Sequence, residues 1–103
     1  MKTIIYLSGP QGSGKTHFLN NNDLVELNSR DIKSVADLLH QPSIICLTSN
    51  SDTNFFDIEK LVNDYENAML IKINVPFMSY KKNTMFFKRL LSFINNLRPV
   101  QHP

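Results

Sequence analysis

Apolar, β-branched runs alternate with helix-period segments along this chain, and that order predicts an α/β domain built on a parallel sheet. Two further observations narrow the expectation. At 103 residues and 11.9 kDa the chain is long enough for one core and too short for two. Its three glycines, Gly9, Gly12 and Gly14, all fall in the first turn, which marks a backbone that must approach something closely there. The expected architecture is a three-layer sandwich, with a mostly parallel sheet of about four strands and helices on both faces. Residues 1–98 form this single domain, and 99–103 are expected to be a loose tail.

Each element has a local reason. Residues 3–7 (Thr-Ile-Ile-Tyr-Leu) read as a buried strand. After the glycine-rich turn, Lys15 to about Asn21 reads as a short helix, ended by Asn20-Asn21-Asn22-Asp23. Residues 24–28 are a short strand. Ser29 is a candidate N-cap for a helix from about Arg30 to Leu39, which Pro42 terminates. Residues 43–48 (Ser-Ile-Ile-Cys-Leu-Thr) read as a second buried strand. Phe55 to about Asn67 reads as a helix whose inner face carries Phe55, Phe56, Ile58, Leu61, Val62 and Tyr65. Residues 69–75 form a strand stopped by Pro76. Thr84 to Leu97 carries the clearest helical period: Phe86, Phe87, Leu90, Leu91, Phe93, Ile94 and Leu97 share one arc, opposite Lys88, Arg89, Ser92, Asn95 and Asn96.

Composition excludes several classes. The chain is 42% apolar and 19% charged, which suits a folded soluble domain rather than a disordered one. Its longest apolar runs are far below the ~20 residues of a membrane span. One cysteine cannot form an internal disulfide, and Cys46 sits mid-strand as a small core residue. A cytoplasmic location without membrane association is therefore expected. His17, His40 and His102 have no partners at metal-ligand spacing. The net charge of +2 conceals an asymmetry: residues 1–66 sum to −4, and residues 67–103 sum to +6 with no acid. Lys81, Lys82, Lys88 and Arg89, interleaved with aromatic rings, could meet nucleic acid. A solvated helix face is the plain alternative.

The sharpest motif is Gly9-Pro10-Gln11-Gly12-Ser13-Gly14-Lys15-Thr16, which matches G-x-x-x-x-G-K-[ST] at every defined position. Chance supplies this pattern in roughly 0.3% of chains of this length at average residue frequencies. A strand precedes it and a helix follows it. A polyphosphate must be wrapped at close range by backbone N–H groups, and a helix N-terminus adds donors and positive potential. Lys15 would supply a point charge to the β- and γ-phosphates, and the Thr16 hydroxyl would ligate Mg²⁺. At these residues the chain resembles the P-loop NTPase superfamily. That resemblance implies binding of a nucleoside triphosphate such as ATP, with Mg²⁺, and hydrolysis.

A second signal is Ile44-Ile45-Cys46-Leu47-Thr48-Ser49-Asn50. An apolar strand running into Thr48-Ser49-Asn50 resembles the sensor-1 strand of AAA+ ATPases and motif C of superfamily 3 helicases. The resemblance implies that Asn50 sits beside the terminal phosphate and orients water, and that the strand lies next to residues 3–7. It also implies a Walker B acid, for which Glu26, Asp31 and Asp52 are the candidates. Arg30, Arg89 and Arg98 are the arginines that could reach a neighbouring subunit's nucleotide in an oligomer. The sequence thus points to a minimal ATPase, self-associating, in nucleic-acid transactions. Two alternatives stand beside it: a nucleotide-binding regulatory module without turnover, and a phosphotransferase resembling nucleoside or nucleotide kinases. The missing lid region disfavours the last, because nothing would exclude water from the transferred group.

Overall fold

The computed structural model of the chain describes residues 2–32, 35–65 and 67–98. Its elements follow the expected order: β1 (Lys2–Ser8), α1 (Lys15–Asn21), β2 (Val25–Asn28), α2 (Val35–Leu39), β3 (Ile44–Ser49), α3 (Phe55–Asn63), β4 (Ala68–Asn74) and α4 (Thr84–Leu97). One element was not anticipated, a 3₁₀ turn over Tyr80–Asn83 that leads directly into α4. The four strands form one sheet in the order β2-β3-β1-β4, and every pairing is parallel.

Alternation along the two central strands builds two cores. Ile5, Leu7 and Cys46 face one side, where Phe18 and Leu19 of α1 and Phe87, Leu90 and Ile94 of α4 cover them. Ile4, Tyr6, Ile45 and Leu47 face the other, beneath Leu38 of α2 and Ile58 and Val62 of α3. Strands buried on both faces read as unbroken apolar runs, which is why β1 and β3 were legible without alternation.

Several boundaries and faces differ from the expectation. The second helix starts at Val35 rather than near Arg30. The Asn28 side chain accepts the Arg30 N–H at 2.9 Å, and the Asp31 N–H bonds the Asn28 carbonyl at 3.0 Å, so this stretch is a turn. Ser29 is not an N-cap: its N–H bonds the Thr48 carbonyl, and its hydroxyl accepts from Asn54. The third helix stops at Asn63, because Asn67 has φ +69° and its carbonyl already accepts the Lys2 N–H. Phe56 is 73% exposed and Phe93 40% exposed, so neither belongs to its helix's inner face. Leu39 is exposed as well. Residues 99–103, expected to be a loose tail, lie outside the described residues.

Adjacent strands β1 and β3 send their connections to opposite faces of the sheet. The chain after β1 enters α1, and the chain after β3 enters α3. Such a divergence opens a crevice at the carboxyl ends of parallel strands. The glycine-rich loop and Asn50 flank that crevice.

Candidate functional site

The loop Gly9–Thr16 owes its shape to two different uses of glycine. Gly12 has φ +87° with nothing near its missing side chain, so the backbone conformation alone requires glycine there. Gly14 combines φ +101° with close packing, since an added Cβ would lie 2.3 Å from the Tyr80 ring. The Gly9 N–H bonds the Ser49 carbonyl at 3.1 Å, tying the loop to β3. The Ser13 N–H turns back to the Pro10 carbonyl at 3.2 Å. Among the described residues, the amides of Gly12, Gly14, Lys15 and Thr16 make no backbone hydrogen bond.

Lys15 is 7% exposed and folds its ammonium back into the loop. It donates to the Gly9 carbonyl, to the Pro10 carbonyl at 3.1 Å and to Asn50 Oδ1 at 3.4 Å. Burial lowers its pKa below the ordinary lysine value, and the nearby Glu26 carboxylate partly opposes that shift. Thr16 donates its hydroxyl to Glu26 Oε2 at 2.8 Å. Glu26 reaches Thr16 because α1 packs against β2. The same carboxylate adds to burial in pushing the Cys46 thiol up to about 12, which keeps that thiol protonated and inert.

The candidate acids therefore occupy different places. Glu26 touches Thr16. Asp31 and Glu26 both line a second cavity, together with Asp37 and His40, but Asp31 makes no hydrogen bond to Thr16 among the described residues. Asp52 pairs with Lys72 at 3.0 Å, and the Ser8 hydroxyl and Lys72 together hold its carboxyl below the usual range.

A cleft of about 590 Å³ lies between the glycine loop and the end of β3. Gln11, Gly12, Gly14, Lys15 and Thr16 form one part of its lining, and Asn28, Arg30, Thr48, Ser49 and Asn50 form another. Its volume falls in the range of small-molecule sites. Arg30 projects from a braced turn: Ser29 is held by Thr48 and Asn54, and Asn54 Oδ1 accepts from Tyr6 at 2.7 Å. Arg89 and Arg98 do not line the cleft. His17 and Tyr80 also line it, with their rings edge to face at 4.3 Å.

Sequence reasoning missed Tyr80, Asn83, Asn28 and Val75, all of which touch the loop or line the cleft. The tight turn at Gly14 signalled that something packs there, but not which residue. Among the described residues, no group of three or more His, Cys, Asp or Glu side chains gathers as a metal cluster. No described helix is long and apolar enough to cross a membrane.

Comparison with known proteins finds no matching family model, no matching curated protein and no matching solved structure. What stands is the class: an α/β domain with an all-parallel four-stranded sheet and a glycine loop at its carboxyl edge.

Proposed function

We propose that this protein binds the polyphosphate of a nucleoside triphosphate, with ATP as the ligand and Mg²⁺ as its counterion, and hydrolyses it. The observation that carries the reading is that Lys15, Thr16 and Asn50 line one cleft, with Lys15 bonded to Asn50 and Thr16 bonded to Glu26 of the neighbouring strand. The unbonded amides of Gly12 and Gly14 supply neutral donors to phosphate oxygens. Lys15, now resting on loop carbonyls, turns its ammonium onto the β- and γ-phosphates. An anion there restores the charge stabilisation that burial removed.

The residues present suit a magnesium ion, because an accepting carboxylate fixes the Thr16 hydroxyl proton and leaves its oxygen lone pairs free. Bound there, the ion would supply positive charge that offsets the charge on the phosphates. Glu26, the candidate acid that touches Thr16, would take the Walker B role beside the ion, whereas Asp52 is paired with Lys72. Asn50 positions the attacking water, and Arg30 faces the terminal phosphate from within the same chain.

The charge distribution favours one added partner. Helices α1 and α4 and the turn between β4 and α4 carry Lys15, Lys81, Lys82, Lys88 and Arg89 and no acid, whereas α2 and α3 carry Asp37, Asp57 and Glu59 against Lys60. The basic layer, with Phe77 88% exposed beside it, is suited to single-stranded nucleic acid. Opposite charge on the two layers also suits self-association. With a single buried thiol, we place the protein in the cytoplasm.

Equilibrium binding of Mg-ATP and phosphate release, with and without single-stranded DNA, test the reading. Binding and release that are both lost in Lys15→Ala, and release alone lost in Asn50→Ala, are expected. Wild-type protein that binds no Mg-ATP at millimolar nucleotide overturns it. Tight binding without release selects the regulatory alternative, and phosphate found on an added nucleoside selects the phosphotransferase.

A further inference from the structure

The connection between β4 and α4 grips the glycine loop at three points. The Val75 N–H bonds the Ser8 carbonyl at 2.7 Å, and the Val75 side chain fills the space 2.8 Å from where a Gly9 Cβ would stand. The Tyr80 ring lies against Gly14. The third point is Asn83, which is 0% exposed. Its amide nitrogen donates to the Ser13 carbonyl at 3.1 Å, to Pro76 at 3.2 Å and to Met78 at 3.1 Å. One side chain thus joins the loop to a segment 70 residues away.

Two buried polar atoms at this junction, Ser13 Oγ and Asn83 Oδ1, have no hydrogen-bond partner among the described residues. Stability alone would favour an apolar residue that leaves no orphaned oxygen. The geometry offers another reason for the asparagine. A trans peptide carries its C=O and the following N–H on opposite sides. Holding the Ser13 carbonyl inward on Asn83 therefore turns the Gly14 N–H outward, and Gly14 lines the cleft.

We propose that Asn83 is the positioning residue of the phosphate loop: it anchors the Ser13 carbonyl so that the Gly14 N–H points at the bound polyphosphate. The inference rests on the polyphosphate reading of the loop. Asn83 touches neither nucleotide nor metal; it acts through one peptide unit.

The test is calorimetric binding of inorganic tripolyphosphate to the wild type, Asn83→Leu and Val62→Ala, with thermal midpoints and the Gly14 amide signal in a ¹⁵N-resolved titration. Val62 is a buried residue of α3, on the other face of the sheet, and serves as the stability control. Asn83→Leu is expected to bind roughly tenfold more weakly, the cost of one misaimed donor. Its Gly14 amide shift on titration is expected to vanish. Val62→Ala is expected to bind within about twofold of wild type despite a lower midpoint. A folded Asn83→Leu that binds like wild type overturns the inference, as does an equal loss in Val62→Ala. Wild type that binds no tripolyphosphate overturns the loop reading itself, a failure visible before any variant is compared. Should Asn83→Leu not fold, the wild type decides. Asn83 side-chain amide protons protected from exchange, beside a Gly14 N–H that exchanges freely and shifts on titration, support the assignment. Asn83 protons exchanging at the exposed rate overturn it.

Discussion

The two faces of the sheet share their strands but are built to different standards. On one, α4 runs for 14 residues, joins α1 over a core of nine buried residues among those described, and carries no acid. On the other, α2 and α3 have 5 and 9 residues, cover a core of seven among the described residues, and carry all the acids borne by the described helices. The first face holds the glycine loop, and its packing residues are also the residues that shape the loop. The second holds polar turns fixed by hydrogen bonds, such as the chain of Tyr6, Asn54 and Ser29. The contrast teaches that the site has a rigid, acid-poor wall set by packing and a polar wall set by hydrogen bonding. An anion approaching the first wall meets little repulsion.

The largest test of this contrast is Gly14→Ala. Positive φ and the Tyr80 ring both oppose a side chain there, so a loss of about 3 kcal/mol is expected in denaturant unfolding. A loss below about 1 kcal/mol would mean that the wall yields. Next, Lys15→Ala is expected to weaken Mg-ATP binding about 100-fold, close to 2.7 kcal/mol, while leaving the fold intact in thermal melts. Unchanged affinity would remove Lys15 from the site.

Smaller effects sharpen the comparison through pH. Burial lowers the Lys15 pKa, whereas in the unfolded chain the group keeps its ordinary 10.5. Between the lowered value and 10.5 the unfolded state holds more protons, so stability rises with pH across that window. Lys15→Met should flatten the rise, as read by urea midpoints at stepped alkaline pH. Asp52 works in the opposite range. Its carboxyl is held low by Ser8 and Lys72, so its contribution is present above the ordinary carboxylate pKa and is lost as pH falls through the lowered value. The group is exposed, so Asp52→Asn should remove only a small part of the acid-side slope. Smallest of all, Phe77→Ala should leave stability within about 0.5 kcal/mol while weakening retention of single-stranded DNA. A large stability loss would show that Phe77 packs rather than docks.

The helices α1 and α4 were legible to the residue, because a glycine turn and a sustained apolar period are local signals. The helix α2 was not, since its first turn is claimed by the Asn28 side chain and by β3. Phe56 and Phe93 fall near helical spacing but outside the arc that the sheet actually covers. Within the candidate site, Lys15 and Thr16 were legible from a spacing whose chemistry is local. Glu26 could not be separated from Asp31 and Asp52, because three acids near strand ends look alike until the crossovers are drawn.

By itself, then, the order of residues determined the alternating elements, the parallel sheet and the one glycine-rich loop, since periodicity and backbone freedom act over a few residues. Only the tertiary structure decided which acid meets Thr16, which arginine enters the cleft, and that Val75, Tyr80 and Asn83 clamp the loop. Those choices follow from placing β3 and β4 on either side of β1, which brings together residues as many as 70 positions apart. No local preference encodes a contact at that range; close packing of the sheet's two faces imposes it.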